Sequence, residues 1–172
     1  MAIDKVKEYF RKLGREQDIL EFESSSATVD LAAQAAGVIP ARIAKTISLK
    51  QGDGCILVVT AGDAKIDNQK FRLQFSMKAR MLAQDEVTLL TGHDVGGVCP
   101  FAVNDDVPVY LDVSLKRFDT IFPACGSSNS AIELSCDELY EYAQAQFWID
   151  VCKNWDEKMK RIDGNAGVNF VL

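Results

Sequence analysis

The chain has 172 residues, which is long enough for one domain with a full hydrophobic core and short for two. Hydrophobic residues make up 48% and charged residues 26%, the profile of a globular protein in water. The net charge of −6 argues against broad, sequence-indifferent binding to a phosphate backbone, but leaves open a nucleic acid held at one small site. No apolar run is long enough to cross a membrane, and the N-terminus lacks the apolar region of a secretory signal. We therefore expect a cytoplasmic protein with no membrane partner.

Helical spacing of apolar residues, and alternation of apolar with polar ones, predict the elements of the first half of the chain. In order, we expect a helix over 3–13, a strand over 18–23, a helix from the N-cap Thr28 through Ala36, a strand over 43–50, a strand over 55–61 and a helix from the N-cap Asp67 through Phe75. Gly52-Asp53-Gly54 is typical of a hairpin turn, so the strands on either side of it are expected to be antiparallel.

The second half continues this interleaving of strands and helices. We expect a short strand over 80–83, a helix over 85–90, strands over 108–112, 120–124 and 131–134, a helical turn over 114–118, a helix over 137–143 capped by Ser135, and a last strand over 147–151. Pro123 predicts an edge or a bulge for its strand, because proline cannot donate to a ladder. From Lys153 the chain is charged, and after Gly164 it is expected to be a loosely ordered tail. The order indicates an α+β protein with a mixed sheet.

The five cysteines are odd in number and widely spaced, and none forms a C-x-x-C pair. With a single histidine the sequence offers no spacing typical of a zinc site, so we expect neither a metal nor a cofactor. A disulfide framework is not expected in a cytoplasmic chain of this size, and most of the cysteines are predicted to be small buried hydrophobes.

Lys45 does not fit the alternation of its predicted strand. One face carries Ile43, Ile47 and Leu49, the other Ala44, Thr46, Ser48 and Lys50, and Lys45 falls on the apolar face. Burying an unpaired ammonium group is costly. Either the side chain extends past its neighbours to solvent, or it points into a cavity and meets a ligand carboxyl, carbonyl or hydroxyl group.

Two glycine-containing loops accompany it. Glycines at 92, 96 and 97 leave backbone N–H groups unshielded before Pro100 ends the first loop, so this loop is either a tight turn or a nest for an oxygen-rich ligand. The second, over 126–130, carries four hydrogen-bonding side chains. A Cys–His nucleophilic pair could be built from His93 with Cys99 or Cys125, but no third, orienting residue is evident.

Three motifs occur together in this order: Arg42-Ile43-Ala44-Lys45-Thr46, Gly96-Gly97-Val98-Cys99-Pro100-Phe101 and Gly126-Ser127-Ser128-Asn129-Ser130-Ala131-Ile132-Glu133-Leu134. They resemble the YbaK/EbsC family of aminoacyl-tRNA deacylases, which is related to the editing domain of prolyl-tRNA synthetase. The resemblance covers residues 1–152 as one editing domain and leaves 153–172 as a charged C-terminal extension. It implies a single compact α+β domain with a mixed, mostly antiparallel, barrel-like sheet flanked by helices.

The resemblance also implies an activity, namely metal-independent hydrolysis in trans of the ester that joins a wrong small amino acid to tRNA, tRNA(Pro) being one candidate. It implies that Lys45, Gly96 and Gly97 are catalytic, with the loop amides holding the developing oxyanion and Lys45 anchoring the aminoacyl group. The implied substrate-binding residues are Thr46, Val98, Cys99, Pro100, Phe101, Gly126, Ser127, Ser128, Asn129 and Ser130. The implied partners are the acceptor end of mischarged tRNA and an aminoacyl-tRNA synthetase, with the protein a monomer or weak dimer.

Two positions depart from the pattern of the family. Ala131 stands where some members carry an aspartate, and Thr46 stands where others carry an asparagine. The absence of the aspartate motivates a second hypothesis, a non-catalytic module that keeps the editing-domain fold and binds tRNA or a small ligand.

Overall fold

In the computed structural model, which describes residues 1–155, the chain is organised around a mixed six-stranded sheet. The helices are α1 (Ala2–Lys12), α2 (Val29–Ala36), α3 (Asn68–Phe75), α4 (Gln84–Thr91) and α5 (Cys136–Tyr142). The strands are β1 (Ile19–Glu21), β2 (Ile43–Gln51), β3 (Gly54–Ala61), β4 (Lys65–Ile66), β5 (Val109–Asp112), β6 (Thr120–Pro123), β7 (Ser130–Ile132), β8 (Leu134–Ser135), β9 (Trp148–Ile149) and β10 (Cys152–Lys153).

The strand order in the main sheet is β8-β6-β2-β3-β5-β9. Its longest pairing is the antiparallel hairpin of β2 and β3, which runs from Ala44 opposite Ala61 to Gln51 opposite Gly54. The β2–β6, β3–β5 and β5–β9 pairs are parallel, and the β6–β8 pair is antiparallel. Two further antiparallel pairs, β1–β7 and β4–β10, lie outside this sheet. The α+β domain with a mixed sheet, curled into a half-barrel, is thus confirmed.

Local capping explains why the predicted helices form where they do. The Thr28 hydroxyl accepts a hydrogen bond from the Leu31 N–H, and the Asp67 carboxylate does the same for Lys70. Ser135 and Glu138 form a reciprocal capping box at the start of α5. These three helix starts are confirmed because each depends on residues within one turn of the cap.

Four of the predicted strands are wrong in extent. Residues 80–83 form no strand, only a single bridge between Met81 and Leu49. The strand predicted over 131–134 is interrupted at Glu133, whose carboxylate pairs with Arg42. Only two residues of 147–151 are in β9, and β1 spans three residues of the six expected. The tail predicted after Gly164 lies outside the described residues.

Pro123 is not at an edge of the sheet, because β6 lies between β8 and β2. The pairing with β8 uses only Thr120 and Ile121, whereas Pro123 lies opposite Ala44 of β2. The pairing with β8 therefore does not extend to Pro123, and no N–H group is needed there to donate to β8. This explains why an inner strand tolerates a proline at this position.

The core lies against β3, where the side chains from Ile56 to Val59 are fully buried. Helix α1 contributes Val6 and Phe10, and the Phe10 ring meets the Phe101 ring edge to face at 4.9 Å. Four of the five cysteines are buried in this core, as expected, and Cys136 is half-buried. Within residues 1–155 no helix is both long and apolar enough to span a membrane.

Candidate functional site

A cavity of about 380 Å³ lies over one face of β2. Its walls come from five separate stretches of the chain: 26–32, 43–48, 81–87, 95–98 and 122–131. Among the described residues that line it, Lys45 is the one charged residue; the others, apart from Gly96, carry aliphatic, aromatic, thioether, hydroxyl or amide groups. A small, largely apolar group with a few hydrogen-bonding atoms therefore fits this cavity.

Strand alternation decides which side chains β2 gives to the cavity. Ala44, Thr46 and Ser48 share the cavity face, two residues apart from one another. The Thr46 hydroxyl oxygen is buried and hydrogen-bonds to no group in the described part of the protein. A buried hydroxyl group without a partner costs about 1–3 kcal/mol. Thr46 thus offers an unused hydrogen-bonding group to whatever fills the cavity.

Lys45 is half-buried and contributes to the wall of the cavity. Its ammonium nitrogen donates a hydrogen bond of 2.5 Å to the carbonyl oxygen of Ala64, in the connection between β3 and β4. Burial lowers the pKa of Lys45, and the nearby Cys152 and Asp63 partly offset this effect. The ammonium group is thus held by a backbone carbonyl rather than by a carboxylate, and neither Ala64 nor Asp63 nor Cys152 lines the cavity.

The two adjacent glycines of the 92–101 loop have different surroundings. Gly96 has φ of +89° and lines the cavity together with Val98. No described residue accepts a hydrogen bond from the N–H of Gly96 or of Val98. The N–H of Gly97, by contrast, donates to the carbonyl of Asp94 at 3.0 Å. Gly97 is buried against a neighbouring loop, and a Cβ there would lie 3.0 Å from the Cα of Ser127.

Cys99, Pro100 and Phe101 do not line this cavity. Cys99 and Phe101 are fully buried in the core, and Pro100 lines a second cavity of about 290 Å³. The Nε2 of His93 donates to the Phe101 carbonyl at 2.7 Å and lies 3.5 Å from the Cys99 sulfur. Burial raises the pKa of Cys99 to about 12 and lowers that of His93. The predicted Cys–His pair is therefore adjacent but sealed in the core, with its thiol protonated at neutral pH.

Of the 126–130 loop, only Ser130 lines the cavity, together with the following Ala131. Gly126 lies beneath α1, where a Cβ would come within 2.9 Å of the Val6 side chain. The remaining three residues hold loops together: the Ser127 hydroxyl donates to Ser130, the Ser128 carbonyl accepts from the N–H of Ser26, and the Asn129 amide donates to the carbonyl of Phe22.

Sequence reasoning missed the wall formed by residues 26–32, for which it predicts only the start of a helix at Thr28. After the pairing of β1 with β7, Phe22 hydrogen-bonds to Asn129 and Ser26 to Ser128, and these bonds bring the start of this stretch beside the 126–130 loop. It also missed Met81 and Leu82 of the cavity wall. The N–H of Leu82 donates to the Ser48 carbonyl, and this bond holds both residues beside β2. The three consecutive serines at 24–26 were the available signal, but no periodicity links them to β7.

Known proteins match most of this chain. A family model for the aminoacyl-tRNA editing domain matches residues 23–142. A Bacillus subtilis relative, "Uncharacterized protein YwhH", is 57% identical over 157 residues, which cover 91% of this chain and 100% of the relative. An Enterococcus faecalis relative, "Putative Cys-tRNA(Pro)/Cys-tRNA(Cys) deacylase EbsC", is 25% identical over 67% of this chain and 71% of its own length.

The fold is likewise shared with a solved structure, "Crystal structure of a putative trans-editing enzyme for prolyl tRNA synthetase". The two superpose with a TM-score of 0.79 at 26% identity, over 88% of this chain and 97% of the other. The residues matched by the family model include all five stretches that form the cavity.

Proposed function

Since the chain belongs to the family of aminoacyl-tRNA editing domains, we propose that it is a cytoplasmic hydrolase that removes a wrongly attached small amino acid from tRNA. The observation that carries this proposal is the cavity of about 380 Å³, which joins an apolar lining to Gly96 and Val98, whose N–H groups donate to no described residue. One methylene group changes binding in an apolar pocket by only about 1–3 kcal/mol, so a synthetase needs a second site to reject close analogues.

In this proposal the N–H groups of Gly96 and Val98 donate to the ester carbonyl oxygen, on which negative charge develops when water attacks the carbonyl carbon. The bond between that carbon and the ribose oxygen then breaks, and the ribose oxygen takes up a proton. The lining contributes no carboxylate, imidazole or thiol group from the described residues, so the neighbouring ribose hydroxyl of the substrate is the candidate to assist the water.

Lys45 and the hydroxyl groups of the cavity have separate roles in the proposal. The Lys45 ammonium group exchanges the Ala64 carbonyl for the aminoacyl group and so anchors it, and the Thr46 hydroxyl hydrogen-bonds to the same group. The exposed side chains of Met81 and Val95 at the rim give an apolar contact surface for the terminal base. Specificity for cysteine, the amino acid named for the Enterococcus faecalis relative, is one outcome within the small-residue class.

The test is a panel of tRNA(Pro) charged with cysteine, alanine, serine, threonine or proline, followed by release of amino acid over time. We expect the protein to hydrolyse at least one small-residue ester, and Lys45→Ala to lower that rate by about 10- to 100-fold, because loss of a hydrogen bond to a charged group costs about 1.5–3 kcal/mol. Lys50→Ala is the matched control, since Lys50 is on the same strand but pairs with Glu86 outside the cavity. Equal rates in wild type and Lys45→Ala would remove Lys45 from the mechanism.

The non-catalytic binding module is the second candidate. It is favoured by Ala131, which lines the cavity with a methyl group where some relatives carry a carboxylate. Binding of the whole panel without hydrolysis of any member would favour this module and overturn the hydrolase proposal.

A further inference from the structure

The segment 68–84 is basic in an otherwise acidic protein. It contains Lys70, Arg72, Lys78 and Arg80 and not one aspartate or glutamate, although the whole chain has a net charge of −6. Lys70 is paired with Asp150, but Arg72, Lys78 and Arg80 are exposed, and no described carboxylate forms an ion pair with any of these three. Three unneutralised positive charges therefore face solvent along one stretch of chain.

This basic segment leads directly to the rim of the cavity. The Lys50 N–H donates to the Arg80 carbonyl at 2.8 Å, and the next residue, Met81, bridges to Leu49 of β2. Met81 and Leu82 line the cavity. Arg80 is thus fixed one residue from the cavity wall, with Lys78 two residues further out along the chain.

Other parts of the rim carry the opposite charge. Asp30 follows the lining residue Val29, and Asp94 precedes the lining residue Val95; both carboxylates are exposed. Asp85, at the start of α4, is also exposed, just beyond the basic segment. A polyanion whose end occupies the cavity is repelled on the sides of Asp30 and Asp94, and attracted where Arg80 and Lys78 lie.

We propose that Lys78 and Arg80 form the docking surface for the phosphate backbone of the tRNA acceptor stem, as its terminal nucleotide enters the cavity. This inference rests on the proposed function for the choice of polyanion, and on the charge distribution for its position. It accounts for how an acidic protein holds a nucleic acid: through one short basic edge beside the cavity rather than through a general basic surface.

The test measures binding of total deacylated tRNA by fluorescence anisotropy between 50 and 200 mM salt. The variant is Lys78→Gln/Arg80→Gln, and the control is Lys12→Gln/Lys116→Gln, which removes the same number of charges at exposed positions outside the cavity wall. Each phosphate contact contributes about 0.7–0.9 to the slope of log affinity against log salt. Over this fourfold rise in salt, the affinity of wild type should therefore fall by a factor roughly 7 to 12 times larger than the factor for the variant, which has lost two contacts.

Weaker tRNA binding with a reduced salt slope in the Lys78/Arg80 variant, and wild-type binding in the control, would support the surface. An unchanged slope in the variant, or the same loss in the control, would overturn it. If this pattern is found but no mischarged tRNA is hydrolysed, the docking surface stands and the proposed hydrolase function fails. If a mischarged tRNA is hydrolysed but this binding pattern is not found, the hydrolase function stands and the docking surface fails.

Discussion

Replacing Gly97 by alanine tests whether the two loops at the cavity are held at backbone contact. A Cβ at Gly97 would lie 3.0 Å from the Cα of Ser127 and 3.1 Å from its backbone N and C. These atoms cannot rotate away as the end of a side chain can, so one loop has to move. Overpacking of this kind costs about 1–3 kcal/mol, which corresponds to a loss of about 2–4 °C in Tm per kcal/mol for a chain of this size.

Gly54→Ala is the matched control, because Gly54 is also free of positive φ and a Cβ there would meet its nearest neighbour, the Gln51 carbonyl oxygen, at 3.8 Å. Thermal and urea denaturation of both variants should show destabilisation for Gly97→Ala and a change within about 0.5 kcal/mol for Gly54→Ala. Since Val98 lines the cavity, deacylation by Gly97→Ala should fall as well. A Gly97→Ala protein as stable as Gly54→Ala would refute the close approach of the loops.

Three further changes probe single groups. Thr46→Val keeps the shape of the side chain but removes a buried hydroxyl group that has no partner in the described residues. Urea denaturation should therefore show a free energy of unfolding about 1 kcal/mol higher, while the rate of deacylation falls. A lower free energy of unfolding would contradict this. Iodoacetamide should leave the folded protein active and label neither Cys99 nor Cys125, because burial raises the pKa of both thiols and shields them. Rapid inactivation would instead favour a mechanism with a cysteine nucleophile. Burial in the folded state lowers the pKa of Lys45, so between the folded and unfolded pKa values the unfolded chain binds one more proton than the folded chain. The free energy of unfolding of wild type, relative to that of Lys45→Met, should therefore rise with pH in this range. Urea denaturation that shows no pH dependence of this difference would argue against the shift.

The elements that sequence predicted well are those whose cause lies within a few residues. Thr28 and Asp67 each cap a helix with a side-chain oxygen that accepts from the N–H three residues later, and Gly37 ends α2 with φ of +71°. The β2–β3 hairpin is equally local, because Gly52 supplies the positive φ of its turn. These features needed no knowledge of the rest of the fold.

The site was predicted less completely, because proximity in the chain was used in place of proximity in space. Residues 96–101 form one motif, yet Gly96 and Val98 face the cavity while Cys99 and Phe101 enter the core. Gly97 was expected to supply an amide, whereas its hydrogen bond is made within its own turn. Such alternation within a loop is set by what packs on each side, which composition does not reveal.

The placement of Lys45 follows from the same principle. Alternation puts Lys45 on the opposite face of β2 from Thr46 and Ser48, but it could not identify the group that meets the ammonium. That group is the carbonyl of Ala64, in the connection that follows β3. Its identity depends on how the chain turns after β3, and this turn has no distinctive sequence signal.

The two faces of β2 have different consequences for how this protein can change over evolutionary time. Side chains at 46 and 48 border open space, so a larger, smaller or more polar residue there alters the shape offered to a ligand. Leu49 faces the interior, where a change of one methylene group disturbs packing. A single strand thus lets substrate preference drift by point substitutions while the fold is conserved.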